Sequence, residues 1–320
     1  MKIIAFTMIK NEEDIIEQFI RHTLTYCDSL YIYDHFSGDC SKQIIDACTS
    51  EGLNVVILND VIDKYIPPTI AHIQGEIMNV MLRVLHAAYG SAVFVALDAD
   101  EFIIHEQGAV GFRSSCQAAP NNSWFKMPWR CLVLGNGTID KGGDPLTNCR
   151  LAQKKSLMAP QGDKSIVKLD GKTDISDIFI TYGNHEIIDF NKKLEKVDVP
   201  SAYYLHAPIR SSGQLVRKTL IGWLANVIRR GKVGDSAVHW GDLYQDMMKR
   251  NSFEFQDISS VYKHKGYSVL DLSLSENLEE FDCSTLLAYQ VKYLHLRRGH
   301  VSVILSDLEE MMDQLFRKDS

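Results

Sequence analysis

The sequence predicts an α/β fold: a mixed, mostly parallel central sheet flanked by helices, followed by a C-terminal, mainly helical extension. Two observations carry that expectation. Over the first hundred residues short apolar runs alternate with amphipathic stretches, the pattern of strands joined by crossover helices. In addition, Ala92 to Leu97 is an unbroken apolar run, as expected of a central strand covered on both faces.

Taken in order, Lys2 to Met8 reads as a buried strand, and Glu12 to Thr23 as a helix with Ile15, Ile16, Phe19 and Ile20 on one stripe. Leu30 to Tyr33 is a second strand, Ser41 to Thr49 a short helix, and Asn54 to Leu58 a third strand. After the Pro67-Pro68 break, Ile73, Ile77, Val80, Met81, Val84, Leu85 and Ala88 recur at helical spacing over four turns. From about 105 to 200 the pattern is irregular and rich in Gly, Asn, Pro and Asp, with strand-like pieces at Ser123 to Trp129 and Ile178 to Tyr182. Trp124, Met127 and Trp129 mark these as packed, acceptor-shaping loops. Gln214 to Arg229 and Ser306 to Arg317 read as helices, the latter opened by the capping box Ser306-Asp-Leu-Glu309. The expected division is a catalytic domain over 1–235, with halves near 1–105 and 106–235, and an extension over 236–320.

A chain of 320 residues, 45% hydrophobic and 23% charged, has enough apolar material for an enzyme-sized core. Its net charge of −7 argues against nucleic acid as a partner, because affinity for a phosphate backbone comes from clustered Lys and Arg. Seven cysteines without a C-x-x-C spacing point to reduced, buried thiols rather than a disulfide framework or a zinc site. The first residues lack the long apolar region of a signal peptide, and no run approaches the roughly 20 apolar residues of a membrane span. The expected location is the cytoplasm, with peripheral contact at the inner face of the membrane left open.

Three polar groups follow predicted strands: Lys10-Asn11-Glu12, Asp34 through Asp39, and Asp98-Ala-Asp100-Glu101. Ligands in open α/β sheets bind beyond the carboxyl ends of the strands, so these groups are expected to converge. Asp98 and Asp100, with Ala99 between them, suit a hard divalent cation, Mn²⁺ or Mg²⁺, whose shell the phosphates of a ligand complete. Such an ion neutralises charge building on a diphosphate leaving group. Three adjacent carboxylates also repel one another unless a cation sits nearby. Glu101 either braces the loop or orients the donor sugar. Asp34 and Asp39 flank a turn from which a carboxylate could accept from a ribose hydroxyl or a base N–H; for Asn11 and Glu12 a base contact and helix capping are both open. His206 can supply a neutral imidazole to a mixed oxygen and nitrogen site, Arg210 can clamp a phosphate, and Lys164 can bring a further cation to the diphosphate. For a general base the candidates are Glu186, with His185 as helper, and Asp144.

Competing motifs fail. Gly135-Asn-Gly137 has Asp140 at the sixth position, so a Rossmann oxidoreductase loop is absent, as are G-x-S-x-G, H-E-x-x-H and Walker-type loops.

Met8-Ile-Lys-Asn-Glu12, Phe19-Ile20, Leu30 to Ser41 and Leu97-Asp-Ala-Asp-Glu-Phe102, in that order, resemble the family 2-type glycosyltransferases of GT-A (Rossmann-like) fold. They are most similar to a bacterial branch carrying K-N-E, a Y-D-N-x-S-x-D-x-S turn and D-x-D-E-F. Tyr204-Leu-His-Ala-Pro-Ile-Arg-Ser211, with Gln214 and Lys218, resembles that branch's H-x-P-x-R-S-x-x-Q-x-x-x-K block. The resemblance implies a nucleotide-sugar donor, a UDP-sugar first, in the cleft of the first three strands, a metal on Asp98 and Asp100, and inversion at the anomeric carbon. Gln74 and Asn79 match polar positions on the helix before the D-x-D strand. The implied acceptor is a glycan or lipid-linked sugar in bacterial surface polysaccharide synthesis. Two other readings are a sugar nucleotidyltransferase, disfavoured because Lys10-Asn-Glu-Glu-Asp14 is acidic where a basic loop is needed, and a carbohydrate-binding module.

Overall fold

The computed structural model describes residues 1–69, 73–134, 144–158, 164–198, 201–230, 238–250, 272–283, 286, 291–298, 303–309 and 311. The chain opens with β1 (Lys2–Ile9), α1 (Ile16–Tyr26), β2 (Ser29–Asp34), α2 (Ser41–Ser50), β3 (Val55–Ile57), α3 (Asn59–Ile62), α4 (Gln74–Tyr89) and β4 (Ala92–Ala96). It continues through β5 (Glu101–His105), α5 (Gly108–Ala118), β6 (Ser123–Met127), β7 (Trp129–Leu134), β8 (Cys149–Gln153), β9 (Lys164–Leu169), β10 (Ile178–Ile180), β11 (Ile187–Asp189), β12 (Glu195–Asp198) and β13 (Ala202–His206). The last described elements are α6 (Ser212–Arg230), α7 (Val238–Arg250), β14 (Leu278–Glu280) and a helical stretch over 303–309.

Seven strands form the main sheet in the order β12-β6-β9-β4-β1-β2-β3. β4, β1, β2 and β3 are parallel; β9 runs antiparallel between β4 and β6. Alternation along β1 explains why it is central. Ile3 and Ala5 join a core with Phe19 and Ile20 of α1, and Ile4 and Phe6 join a second core on the other face with Ile77, Met81 and Leu85 of α4. Helix α4 ends at Gly90, whose φ of 62° suits a residue without Cβ and whose backbone lies against Gly171. All seven cysteines are free and buried.

The first hundred residues follow the sequence pattern closely, with one shift. The first helix starts at Ile16 rather than Glu12, because the polar residues before it are drawn into the strand-end loops. Residues 105–200 depart from expectation. They are not a set of irregular loops: β7 and β8 join β5, β13 and β14 in a second sheet, β14-β8-β7-β13-β5, and β6, β9 and β12 complete the first. Pro128 splits the expected strand Ser123 to Trp129 into β6 and β7. Strand β14, far along the chain, pairs with β8. Of the expected helix Ser306 to Arg317 only Ser306 to Glu309 and Met311 are described, and the helical stretch already runs from Val303, so Ser306 does not open it; the other residues of that helix lie outside the described residues.

Candidate functional site

The strand order reverses direction between β1, which leads on to β2, and β4. That switch point is where parallel sheets leave a crevice at their carboxyl ends. A cavity of about 260 Å³ opens there. Lys10, Asn11 and Glu12 line it from the end of β1, and Asp98, Ala99 and Asp100 from the end of β4. His206 at the end of β13, Gln214 and Lys218 of α6, and Trp240 of α7 line it as well.

The two aspartates are served by opposite sides of the cavity. Asp98 Oδ1 accepts from Gln74 Nε2 at 2.6 Å and Asn184 Nδ2 at 3.1 Å, while Oδ2 accepts from Lys164 Nζ at 2.8 Å. Lys164, the first residue of β9, is almost fully buried and also reaches Glu101 Oε1 at 2.8 Å and the Gly183 carbonyl. Glu101 is sealed from solvent, and its Oε2 accepts from the Asp98 amide at 3.1 Å, which braces the turn. Burial, with Asp98 and Asp100 adding repulsion, pushes the Glu101 carboxyl up to about 8 against the opposing pull of Lys164.

Asp100 Oδ2 accepts from Lys218 Nζ at 2.8 Å and lies 3.5 Å from Arg210 Nη1; its Oδ1 stands 3.5 Å from His206 Nε2. Burial alone would raise this carboxyl, but Lys218 and Arg210 outweigh it and hold it well below the carboxylate range. Burial lowers the His206 pKa despite Asp100, so the imidazole is neutral at neutral pH. The ring stacks on Trp129 with centroids 4.5 Å apart.

Arg210, expected on a phosphate, is completely buried and spends its fork on carboxylates. Nε donates to Asp14 Oδ2 at 2.7 Å and Nη2 to Asp14 Oδ1 at 3.0 Å, and Nη2 also meets Glu12. Burial opposes ionisation of Asp14, but Arg210 and Arg217 outweigh it and bring its pKa down to about 2. Burial raises the Glu12 pKa against the pull of Arg210.

The β1 and β2 loops form a rim that satisfies itself. Asn11, at φ 57°, accepts on Oδ1 from the Gly38 amide at 2.7 Å and donates through Nδ2 to Asp307 at 2.5 Å. Asp39 is buried, with Oδ2 taking the Glu13 amide at 3.0 Å and Oδ1 the Ser41 amide at 2.9 Å. Asp34 Oδ1 accepts from the Ser37 amide, and Lys10 Nζ donates to the Phe36 carbonyl at 2.8 Å.

Of the residues expected at the site, Asn79 is engaged elsewhere, joining α4 to β10 by exchanging hydrogen bonds with the backbone of Ile180. Glu186 is exposed and outside the cavity lining, two residues beyond Asn184, with His185 likewise exposed near Trp129. Asp144 accepts from the Leu146 amide and starts a short 3-10 turn. Sequence reasoning passed over Asp14, Asn184, Arg217, Trp240 and Asp307. Lys218 stood in the quoted block without a role. For Asp307 no local signal exists, because its partner Asn11 lies 296 residues away.

Among the described residues no three His, Cys, Asp or Glu converge on one point. Asp100 Oδ1 and His206 Nε2 do offer two donors 3.5 Å apart on the cavity wall. The cavity lining carries three carboxylates (Glu12, Asp98, Asp100) and three permanent cations (Lys10, Arg217, Lys218), a balanced set when all are ionised. An oxygen and a nitrogen donor side by side fit a divalent cation that completes its shell with phosphate and water. Asp98, with both oxygens taken by protein donors, fits it less well than Asp100.

No known protein-family model matches the chain, and no curated protein sequence matches it. Among solved structures, it is similar to S. aureus TarS 1-349 in complex with UDP, at 13% identity and a TM-score of 0.39 over 78% of this chain and 72% of that one. Glucosyl-3-phosphoglycerate synthase from Mycobacterium tuberculosis aligns at 16% identity and a TM-score of 0.37, over 73% of this chain and 82% of that one. The mannosyltransferase PcManGT from Pyrobaculum calidifontis, in complex with GDP-Man and Mn2+, aligns at 16% identity and a TM-score of 0.30; the match covers 39% of this chain and 35% of that one. Likenesses this distant assign no activity, which rests on the site itself.

Proposed function

We propose that this protein is a metal-assisted, inverting glycosyltransferase that moves a sugar from a nucleoside-diphosphate donor, UDP-linked in the first instance, to a hydroxyl of a glycan or lipid-linked acceptor. The observation that carries the reading is the polar cavity at the β1–β4 switch point, with Asp100 and His206 on its wall. A sugar-diphosphate linkage needs neutralisation of its leaving group more than covalent chemistry, and this cavity offers a cation site and an ammonium side by side.

In the proposed reaction the acceptor oxygen forms a bond to C1 while the C1–O bond to the diphosphate breaks, its electron pair leaving with the nucleoside diphosphate. Asp100 and the neutral His206 would hold Mn²⁺ or Mg²⁺, which would supply Lewis-acid neutralisation of that leaving group. Asp98, fixed by Gln74, Asn184 and Lys164, accepts from a hydroxyl of the donor sugar through its partly exposed edge. Arg210 positions Glu12 and Asp14 instead of touching phosphate. Glu186, on the loop that also presents Asn184 to Asp98, takes the acceptor proton, with His185 beside it. A surface polysaccharide is the proposed pathway.

Incubating the purified chain with a panel of nucleotide sugars and Mn²⁺, and measuring released nucleoside diphosphate, tests the reading. Turnover of one donor is expected, falling about 100-fold or more in Asp100→Asn. Turnover of no donor, together with unchanged nucleotide affinity in Asp100→Ala, removes it.

A further inference from the structure

Two lysines neutralise the two aspartates of the cavity, and they are held very differently. Lys164 has a side chain only 3% exposed and is fastened to Asp98, Glu101 and the Gly183 carbonyl. Lys218 is 27% exposed, lines the cavity, and among the described residues hydrogen-bonds to Asp100 alone. Its ammonium therefore sits on Oδ2 of the same carboxylate whose Oδ1 stands beside His206, where a divalent cation would bind.

We propose that Lys218 is an exchangeable counter-ion: it covers Asp100 in the empty cavity and transfers to the diphosphate when the divalent cation and nucleotide enter. The inference rests on the glycosyltransferase reading above. An ammonium and a divalent cation on the same carboxylate repel strongly in a poorly solvated cavity, so they exclude each other. Buried Arg210 cannot yield in this way, because its fork is locked on Asp14 and Glu12. Lys218 can, since a lysine swings a compact charge on a four-carbon stem, and it has an accessible path. Displaced from Asp100, the ammonium meets the phosphate oxygens of a ligand bridging the same cation. Lys218 is thus a positioning residue that works against metal binding in the empty protein and for nucleotide binding in the filled one.

The consequence is a pair of effects of opposite sign in Lys218→Met, which keeps the stem and removes the charge. Free Mn²⁺ is titrated into the full chain, followed by calorimetry and by the electron paramagnetic resonance of unbound Mn²⁺. UDP and GDP are then titrated in the presence of Mn²⁺, with circular dichroism confirming that each variant is folded. Mn²⁺ alone is expected to bind Lys218→Met about tenfold or more tightly than wild type. The nucleotide is expected to bind the same variant about tenfold or more weakly. Lys218→Arg, which keeps the charge, should hold Mn²⁺ near the wild-type affinity. Unchanged or weaker Mn²⁺ binding by Lys218→Met overturns the exchange while leaving the enzyme reading intact. If neither wild type nor variant binds UDP or GDP with Mn²⁺, the glycosyltransferase reading falls and the exchange falls with it.

Discussion

At the β1–β2 edge, Asp39 receives two backbone amides inside a buried pair of loops. At the β4 edge, Asp100 receives the side chains of Lys218, Arg210 and His206 on a cavity wall. Both aspartates follow parallel strands of one sheet, and the sequence offered both as ligand-binding groups, Asp100 for a metal and Asp39 for a nucleoside. The difference lies in what satisfies them. An amide fixed in the backbone cannot leave, so Asp39 belongs to the framework that shapes the crevice. A lysine held at one atom can leave, so Asp100 can change partners when a ligand arrives. A strand-end carboxylate is a ligand-binding group to the extent that its partners are displaceable.

The largest test of that contrast uses Arg210, whose partners are neither displaceable nor exposed. Arg210→Met strands Glu12 and Asp14 as buried carboxylates, and urea unfolding should show a loss of about 3–5 kcal/mol, with little recovery in Arg210→Lys because the bidentate fork is lost.

Glu101 supplies the next test. In the unfolded chain it ionises near 4.5, whereas in the folded protein burial keeps the proton until about 8. The folded state therefore binds more protons through this window, and stability from this group, fully present below pH 4.5, is lost as pH rises through 8. Urea midpoints measured between pH 5 and 9 should fall with pH in wild type and flatten in Glu101→Gln, which stays neutral throughout. A midpoint that stays flat between pH 5 and 9 in wild type, as in Glu101→Gln, would show that Lys164 holds Glu101 ionised.

The smallest effect is expected at the closed rim. Asp39→Ala leaves the Glu13 and Ser41 amides without their carboxylate, at a cost of about 2 kcal/mol in urea unfolding. Nucleotide affinity measured by calorimetry should move by less than about twofold, since Asp39 is held by two backbone amides and by the buried Arg217, whose Nη1 stands 3.6 Å from Oδ2. A large loss of affinity with intact stability would return Asp39 to the donor site.

Much of the architecture was legible because it is local. The alternation of Ile3 and Ala5 against Ile4 and Phe6, the α4 stripe and the apolar β4 run each repeat within a few residues. The second sheet was not legible. Its strands are three to six residues long, too short to display a period, and pairings such as β13 with β5 and β14 with β8 bring distant segments together.

The sequence by itself determined the first four strands and the gathering of polar groups, Asp98 and Asp100 among them, at their carboxyl ends. Periodicity and strand-end position are properties of neighbouring residues, so one chain suffices to read them. Only the tertiary structure decided which polar groups keep their partners. It turned Arg210 from an expected phosphate clamp into the buried counter-ion of Asp14 and Glu12. It drew Asp307 across 296 residues onto Asn11, and it placed His206 and Lys218 on the two oxygens of Asp100. Hydrogen-bond saturation depends on which distant side chains reach an atom in three dimensions, and no local pattern encodes that.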